Sequence, residues 1–113
     1  MSTSIVVPLL DEEAALPALV ERLAGLDPQT AEIVVVDGGS SDATVELAEA
    51  AGWRVIAGER GRARQINLGV AEAIGDYVCI LHADTLPPAD MVAVIEETLA
   101  DKRIALASFT PLI

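Results

Sequence analysis

The sequence predicts an α/β fold: a parallel sheet of about four to five strands with helices on its flanks. Three observations carry this expectation. Short apolar runs rich in β-branched residues recur along the chain, separated by segments of helical period, in the order βαβαβαβα. Hydrophobic residues make up 52% of the 113 positions but aromatics only 3%, so the core is built from Val, Ile, Leu and Ala, as in parallel sheets covered on both faces. Strands alternating with helices at this length imply right-handed crossovers.

The first run, SIVVPLL at 4–10, reads as a buried strand, and Leu16, Leu19, Val20 and Leu23 then share one helix face. EIVVVD at 32–37 is the second strand. Ser41 or Asp42 can cap a helix that carries Val45, Leu47 and Ala48 inward and runs to about Ala51, where Gly52 stops it. RVIAG at 54–58 is the third strand, GERGRARQINLGVAEAIG at 58–75 holds the next helix, and YVCILHAD at 77–84 is the fourth strand. Asp90 or the Pro87-Pro88 pair opens a helix ending near Ala100, and RIALASF at 103–109 reads as a fifth strand. No repeat, low-complexity tract or Gly/Ser linker divides the chain, so 1–113 is expected to form a single domain.

A formal net charge of −11 argues against nucleic acid as a partner, because phosphate backbones are held by clustered Lys and Arg. The acidity is uneven. Arg54, Arg60, Arg62 and Arg64 are four of the seven basic residues. They form a local basic segment that either meets a small anion or is a solvated helix surface. The single cysteine, Cys79, excludes an internal disulfide and reads as a buried structural thiol within YVCIL. MSTSIVVPLL precedes an acidic DEE with no basic leader region, and no apolar stretch is long enough to span a bilayer. The expectation is a chain that does not span a membrane and is cytoplasmic.

In such sheets ligands lie beyond the carboxyl ends of the strands, near a switch in strand order. That places Leu10-Asp11, Asp37-Gly38-Gly39 and His82-Ala83-Asp84 on one rim. Asp37 either accepts hydrogen bonds from ribose hydroxyls or a base N–H, or caps the next helix. Asp84 is a candidate ligand for Mg²⁺ or Mn²⁺ shared with diphosphate oxygens, or else caps the turn before Thr85. His82 alone reads as a hydrogen-bonded histidine at a strand end. Arg60, Arg62 and Arg64 fall in or near the first turns of a helix beside Gln65 and Asn67, and guanidinium groups together with free helix N–H groups suit a diphosphate. A nicotinamide-type dinucleotide site needs a glycine-rich turn after the first strand. Leu9-Leu10-Asp11-Glu12-Glu13 has no glycine and three acids, which opposes a pyrophosphate there. No GxxxxGK[ST] loop occurs, so nucleoside triphosphate hydrolysis is unsupported.

Taken in order, SIVVPLLDEE, EIVVVDGGSSDAT and NLGVAEAIGDYVCILHADT resemble the signatures of family 2 glycosyltransferases from about Ser4 to Pro88. These signatures are an opening strand and turn, an Asp-Gly-Ser-x-Asp stretch, and N-x-G, A-x-G-[DE]-Y and Asp-x-Asp motifs. A bacterial subgroup with VDGGSxDxT, RGRAxQxNxG and LHADT signatures is the nearer likeness. The resemblance implies a Rossmann-like sheet forming the N-terminal part of a GT-A fold. The implied reaction is inverting, divalent-metal-assisted transfer (Mn²⁺ or Mg²⁺) from a nucleoside diphosphate sugar, commonly UDP-linked. Residue by residue, it implies that Pro8 and the backbone of Leu9 to Asp11 line the base pocket. Asp37, next to Gly38, contacts base or ribose, and Asp84 binds metal and diphosphate.

Two positions depart from the pattern. His82 stands where the first acid of Asp-x-Asp is usual, so a ribose or phosphate contact there is a donated one. Ile66, before Asn67, stands where many relatives carry arginine, and that electrostatic role passes to Arg62 or Arg64. Members of the family generally continue about as far again, supplying an acceptor subsite and a carboxylate base. These residues are therefore expected to bind donor with the general base unassigned, and to associate as a homo-oligomer. The competing readings are a nucleotidyltransferase-like nucleotide-binding protein and a self-associating α/β module without activity.

Overall fold

Strands and helices alternate strictly: β1 (Thr3–Leu9), α1 (Leu16–Ala24), β2 (Glu32–Asp37), α2 (Thr44–Ala50), β3 (Arg54–Ala57), α3 (Arg62–Glu72), β4 (Tyr77–Ile80) and α4 (Met91–Leu99). The structure, a computed structural model, describes residues 2–100. The fifth strand expected at 103–109 lies outside the described residues.

All four strands are parallel, in the order β3-β2-β1-β4. The chain steps outward from β1 to β2 to β3, then crosses back to place β4 on the other side of β1. The switch in strand order therefore lies between β1 and β4. The central strands are covered on both faces. Ile5, Val7, Leu9 and Val35 join Leu16, Leu19 and Leu23 of α1, Ala48 of α2, and Met91, Val92 and Ile95 of α4 in one core. Val6 and Val36 face α3 on the opposite side. The α/β expectation holds, as does the shared inner face of α1, with Val20 half-buried at its margin.

Helix α3 lies close to the sheet because of Gly69. A Cβ there would sit 2.4 Å from Val6 Cγ1, closer than real Cβ atoms approach, and a tight 3.1 Å from Val36 Cγ2. At the other end of the helix, the Ile74 N–H and the Ser4 hydroxyl both donate to Glu32 Oε2 at 2.6 Å, and the Gly75 N–H donates to Ser4 Oγ at 2.8 Å. The capping position of α2 is Ala43, not the expected Ser41 or Asp42; the Asp42 carboxylate instead accepts the Thr44 N–H at 2.9 Å and the Thr44 hydroxyl at the first residue of the helix. Bonding to the Thr44 side chain, first, holds the Asp42 carboxyl below its ordinary range. Its stabilising effect is present above the ordinary carboxylate range and is lost as pH falls through the lowered value. Asp90 precedes α4 as expected but makes no side-chain capping bond; the Met91 N–H instead donates to the Pro88 carbonyl at 3.0 Å. Among the described residues no helix is long and apolar enough to cross a membrane.

One expected boundary moves. The run at 77–84 is not strand throughout, because β4 ends at Ile80 and His82 to Asp84 form a turn closed by the Thr85 N–H on the His82 carbonyl at 3.0 Å. The cause lies in β1. The Val6 carbonyl accepts the Leu81 N–H at 2.9 Å on the β4 side, whereas the Leu9 carbonyl accepts the Gly38 N–H at 2.9 Å on the β2 side. Two residues beyond Val6, Pro8 turns the same edge toward β4 and has no N–H to donate. The β1–β4 ladder accordingly stops at Val6 and Ile80, while the β1–β2 ladder continues to Leu9 and Asp37.

Candidate functional site

Where β1 and β4 part, a cleft of about 520 Å³ opens at the carboxyl edge of the sheet. Pro8, Leu9, Leu10 and Glu12 line it from β1 and its turn, His82, Ala83 and Asp84 from the turn after β4, and Arg60, Gly61, Arg62 and Gln65 from the start of α3. Leu81 and Ala83 are buried while His82 and Asp84 are exposed. The in-and-out alternation of the strand thus persists past its last ladder bond and aims the two polar side chains outward. Gly61 has φ 139°, a left-handed conformation open to glycine, and lets the chain enter α3 between Arg60 and Arg62.

Of the residues singled out in sequence, Pro8, Leu9, Arg62, His82 and Asp84 line the cleft, and Asp11, Asp37, Gly38, Arg64 and Asn67 do not. The reasons differ. The Asp37 carboxylate is buried at 8% exposure and accepts the Gly39 N–H at 3.0 Å, the Ser40 N–H at 2.9 Å and the Ser40 hydroxyl. Both of its oxygens therefore hold the turn after β2, close to the capping alternative. Asp11, at φ 52°, accepts the Ser41 N–H at 2.8 Å through its carboxylate, and its own N–H donates to Ser40 Oγ at 2.9 Å. The Glu12 N–H donates to Thr44 Oγ1 at 2.8 Å, so these bonds tie the acidic turn after β1 to the turn after β2. Arg64 points away from the cleft into an exposed ion pair with Glu59 at 3.0 Å, and Asn67 is exposed farther along α3.

Arg60, Glu12 and Gln65 also line the cleft, and neither Glu12 nor Gln65 has a ligand role assigned from the sequence. Arg60 was visible as part of the basic segment. Gln65 had no comparable signal, because its role depends on strand ends far from it in the chain.

The cleft brings Arg60 and Arg62 together with Glu12 and Asp84, and no acid is within 4.0 Å of either guanidinium among the described ion pairs. Two guanidinium groups suit a diphosphate, and the neighbouring carboxylates leave it short of positive charge unless a cation accompanies it. Among the described residues no group of three or more His, Cys, Asp or Glu is arranged to hold a metal. Asp84 and His82 fit a cation only as partial donors, with the ligand supplying the remaining oxygens. Cys79 lies on β4 outside the cleft lining, and burial pushes its thiol up to about 11, so it is protonated at neutral pH and is no nucleophile there.

A family model described as Glycosyl transferase family 2 matches residues 4–111. The chain is similar to undecaprenyl-phosphate 4-deoxy-4-formamido-L-arabinose transferase of Pectobacterium carotovorum, 36% identical over 107 residues that cover 84% of this chain and 33% of that protein. It is also similar to dolichol-phosphate mannosyltransferase of Saccharomyces cerevisiae, 31% identical over 116 residues, 93% of this chain and 43% of that protein. It thus spans less than half the length of either relative. Among solved structures it resembles glucosyl-3-phosphoglycerate synthase from Mycobacterium tuberculosis, crystallised with Mn²⁺, UDP and glucosyl-3-phosphoglycerate. That likeness has a TM-score of 0.73 and 25% identity and covers 88% of this chain and 40% of that one.

Proposed function

The chain belongs to glycosyl transferase family 2, and from that premise we propose that its single domain binds a nucleoside diphosphate sugar, UDP-linked, with a divalent cation, for inverting glycosyl transfer. The observation that carries this reading is the convergence of Arg60, Arg62, His82 and Asp84 on one cleft at the β1–β4 switch. The VDGGSSDAT, RGRARQINLG and LHADT stretches favour the bacterial subgroup that shares those signatures.

In this reading Pro8 and the backbone from Leu9 line the base pocket, while the turn after β2, held by Asp37 and Asp11, borders the ribose. Arg60 and Arg62 bind diphosphate oxygens. Asp84, with His82 beside it, would hold Mn²⁺ or Mg²⁺ jointly with the diphosphate, and a bound cation would neutralise charge on the leaving group. The guanidinium groups add to that neutralisation and fix the leaving group's orientation. Transfer also needs a base within hydrogen-bond reach of the acceptor hydroxyl, and no residue is assigned to it.

Calorimetric titration with UDP, with and without Mn²⁺, tests the proposal: saturable binding that strengthens with metal is expected, and no binding in either condition overturns it. Asp84→Asn removes the ligand charge without touching the core. It should abolish most of the Mn²⁺-dependent gain while leaving thermal unfolding unchanged; an undiminished gain would remove Asp84 from the metal site.

We further propose that copies of the chain associate through β4, an edge strand among the described residues with Ile80 45% exposed on it. Light scattering at micromolar concentration should show a dimer or larger species, and a clean monomer would refute association.

A further inference from the structure

Gln65, in the first turn of α3, is 4% exposed and has its amide fully engaged with backbone. Nε2 donates to the Leu9 carbonyl at 2.9 Å and to the Val36 carbonyl at 2.8 Å, and Oε1 accepts the Gly61 N–H at 3.2 Å. Both amide protons and the carbonyl oxygen are thereby used. The three partners belong to three segments: the end of β1 and the turn at Gly61, both of which line the cleft, and the end of β2, which lies outside its lining. Space for the amide depends on Gly38, where a Cβ would lie 2.9 Å from Oε1. The strand ends have their own tie, the Gly38 N–H on the Leu9 carbonyl at 2.9 Å, so β1 and β2 stay joined there without Gln65.

We infer that Gln65 is a positioning residue: its amide fixes the Arg60-Gly61-Arg62 turn against the ends of β1 and β2 and so sets where the two guanidinium groups meet an anionic ligand. The ligand half of this inference rests on the donor-binding reading; the placement of the turn does not. A buried amide that only filled space would give a different result on substitution, since its loss would loosen the sheet and all ligands together.

Gln65→Met keeps the unbranched length and discards donors and acceptor. Two readouts on the full chain decide the matter. Without ligand, amide hydrogen exchange at Gly61 should quicken by about tenfold or more while Val7 and Val35 keep their protection. With ligand, UDP affinity should fall by about tenfold while uridine affinity changes by less than about threefold. Unchanged exchange at Gly61, loss of protection at Val7 and Val35 in step with it, or equal losses for UDP and uridine would overturn the inference. If Gln65→Met fails to fold, Gln65→Asn, one methylene too short to span the three partners, is judged by the same outcomes. If the unsubstituted chain binds neither UDP nor uridine, the donor-binding reading fails, and the exchange measurement alone upholds or overturns the role of Gln65.

Discussion

Arg62 and Arg64 sit two residues apart in one basic segment, and helical geometry sends them in different directions, since residues at that spacing do not share a helix face. Arg62 lines the cleft, whereas Arg64 pairs with Glu59 at 3.0 Å with both side chains largely in solvent. Exposed pairs of that kind contribute about 0–1 kcal/mol. Arg62→Ala should therefore weaken UDP binding by about tenfold or more and uridine far less, as expected for loss of a charge-assisted phosphate contact. Arg64→Ala should change either affinity by less than about threefold. Calorimetry on the two variants separates them, and a larger loss for Arg64 would reverse the assignment. The basic segment was legible in the sequence but its division was not, because the phase of α3 follows from which of its residues the sheet buries, Gln65 and Gly69. Asp37 illustrates the same limit. Its place after an apolar run was legible, but the turn that engages both of its oxygens forms only once Gly39 and Ser40 fold back over the strand end. Asp37→Ala should lower stability by about 1–3 kcal/mol in urea unfolding, the cost of losing the charge-assisted hydrogen bonds that hold the turn. An unchanged midpoint would show that water replaces the carboxylate there.

At the scale of elements, the strands were legible because each is a short apolar run bounded by turn residues, and α1 because its leucines recur at helical spacing. The end of β4 was not. Leu81 and Ala83 continue the buried alternation of a strand, and what ends the ladder is a missing N–H at Pro8, more than seventy positions earlier in the chain. Periodicity reports burial, while pairing depends on a partner elsewhere. Gly69 couples the same two considerations, since its missing Cβ lets α3 approach Val6 and Val36 and thereby brings Arg60 and Arg62 to the rim. Gly69→Ala would place a methyl 2.4 Å from Val6 Cγ1, so either the Val6 side chain or α3 must shift. The expected cost is about 1–3 kcal/mol of overpacking, despite alanine's better helix propensity. Thermal unfolding checks the cost, and a stabilised variant would show that the helix yields freely.

For the molecule as a whole, the strand order explains why one edge of the sheet gathers the polar residues. Crossing from β3 back to β4 leaves a gap at the carboxyl end of β1, and both the turn after β4 and the start of α3 open onto it. On the proposed donor-binding reading, an oriented and neutralised diphosphate is what this gap would supply to transfer. An acceptor held in line and a base on its hydroxyl are separate requirements, and together they contribute several orders of magnitude to rate. The matched stretches of this chain cover 33% of the arabinose transferase and 43% of the mannosyltransferase to which it is similar, so most of either relative has no counterpart in the match. Binding and turnover should therefore separate. Assayed alone with UDP-, GDP- and dTDP-sugars and mixed acceptors, the chain should bind donor nucleotide saturably yet release nucleoside diphosphate at close to the uncatalysed rate. Robust transfer would locate the base and acceptor site within these residues or in an associated copy of the chain, and Glu12, the cleft's other carboxylate, would then be the first position to substitute.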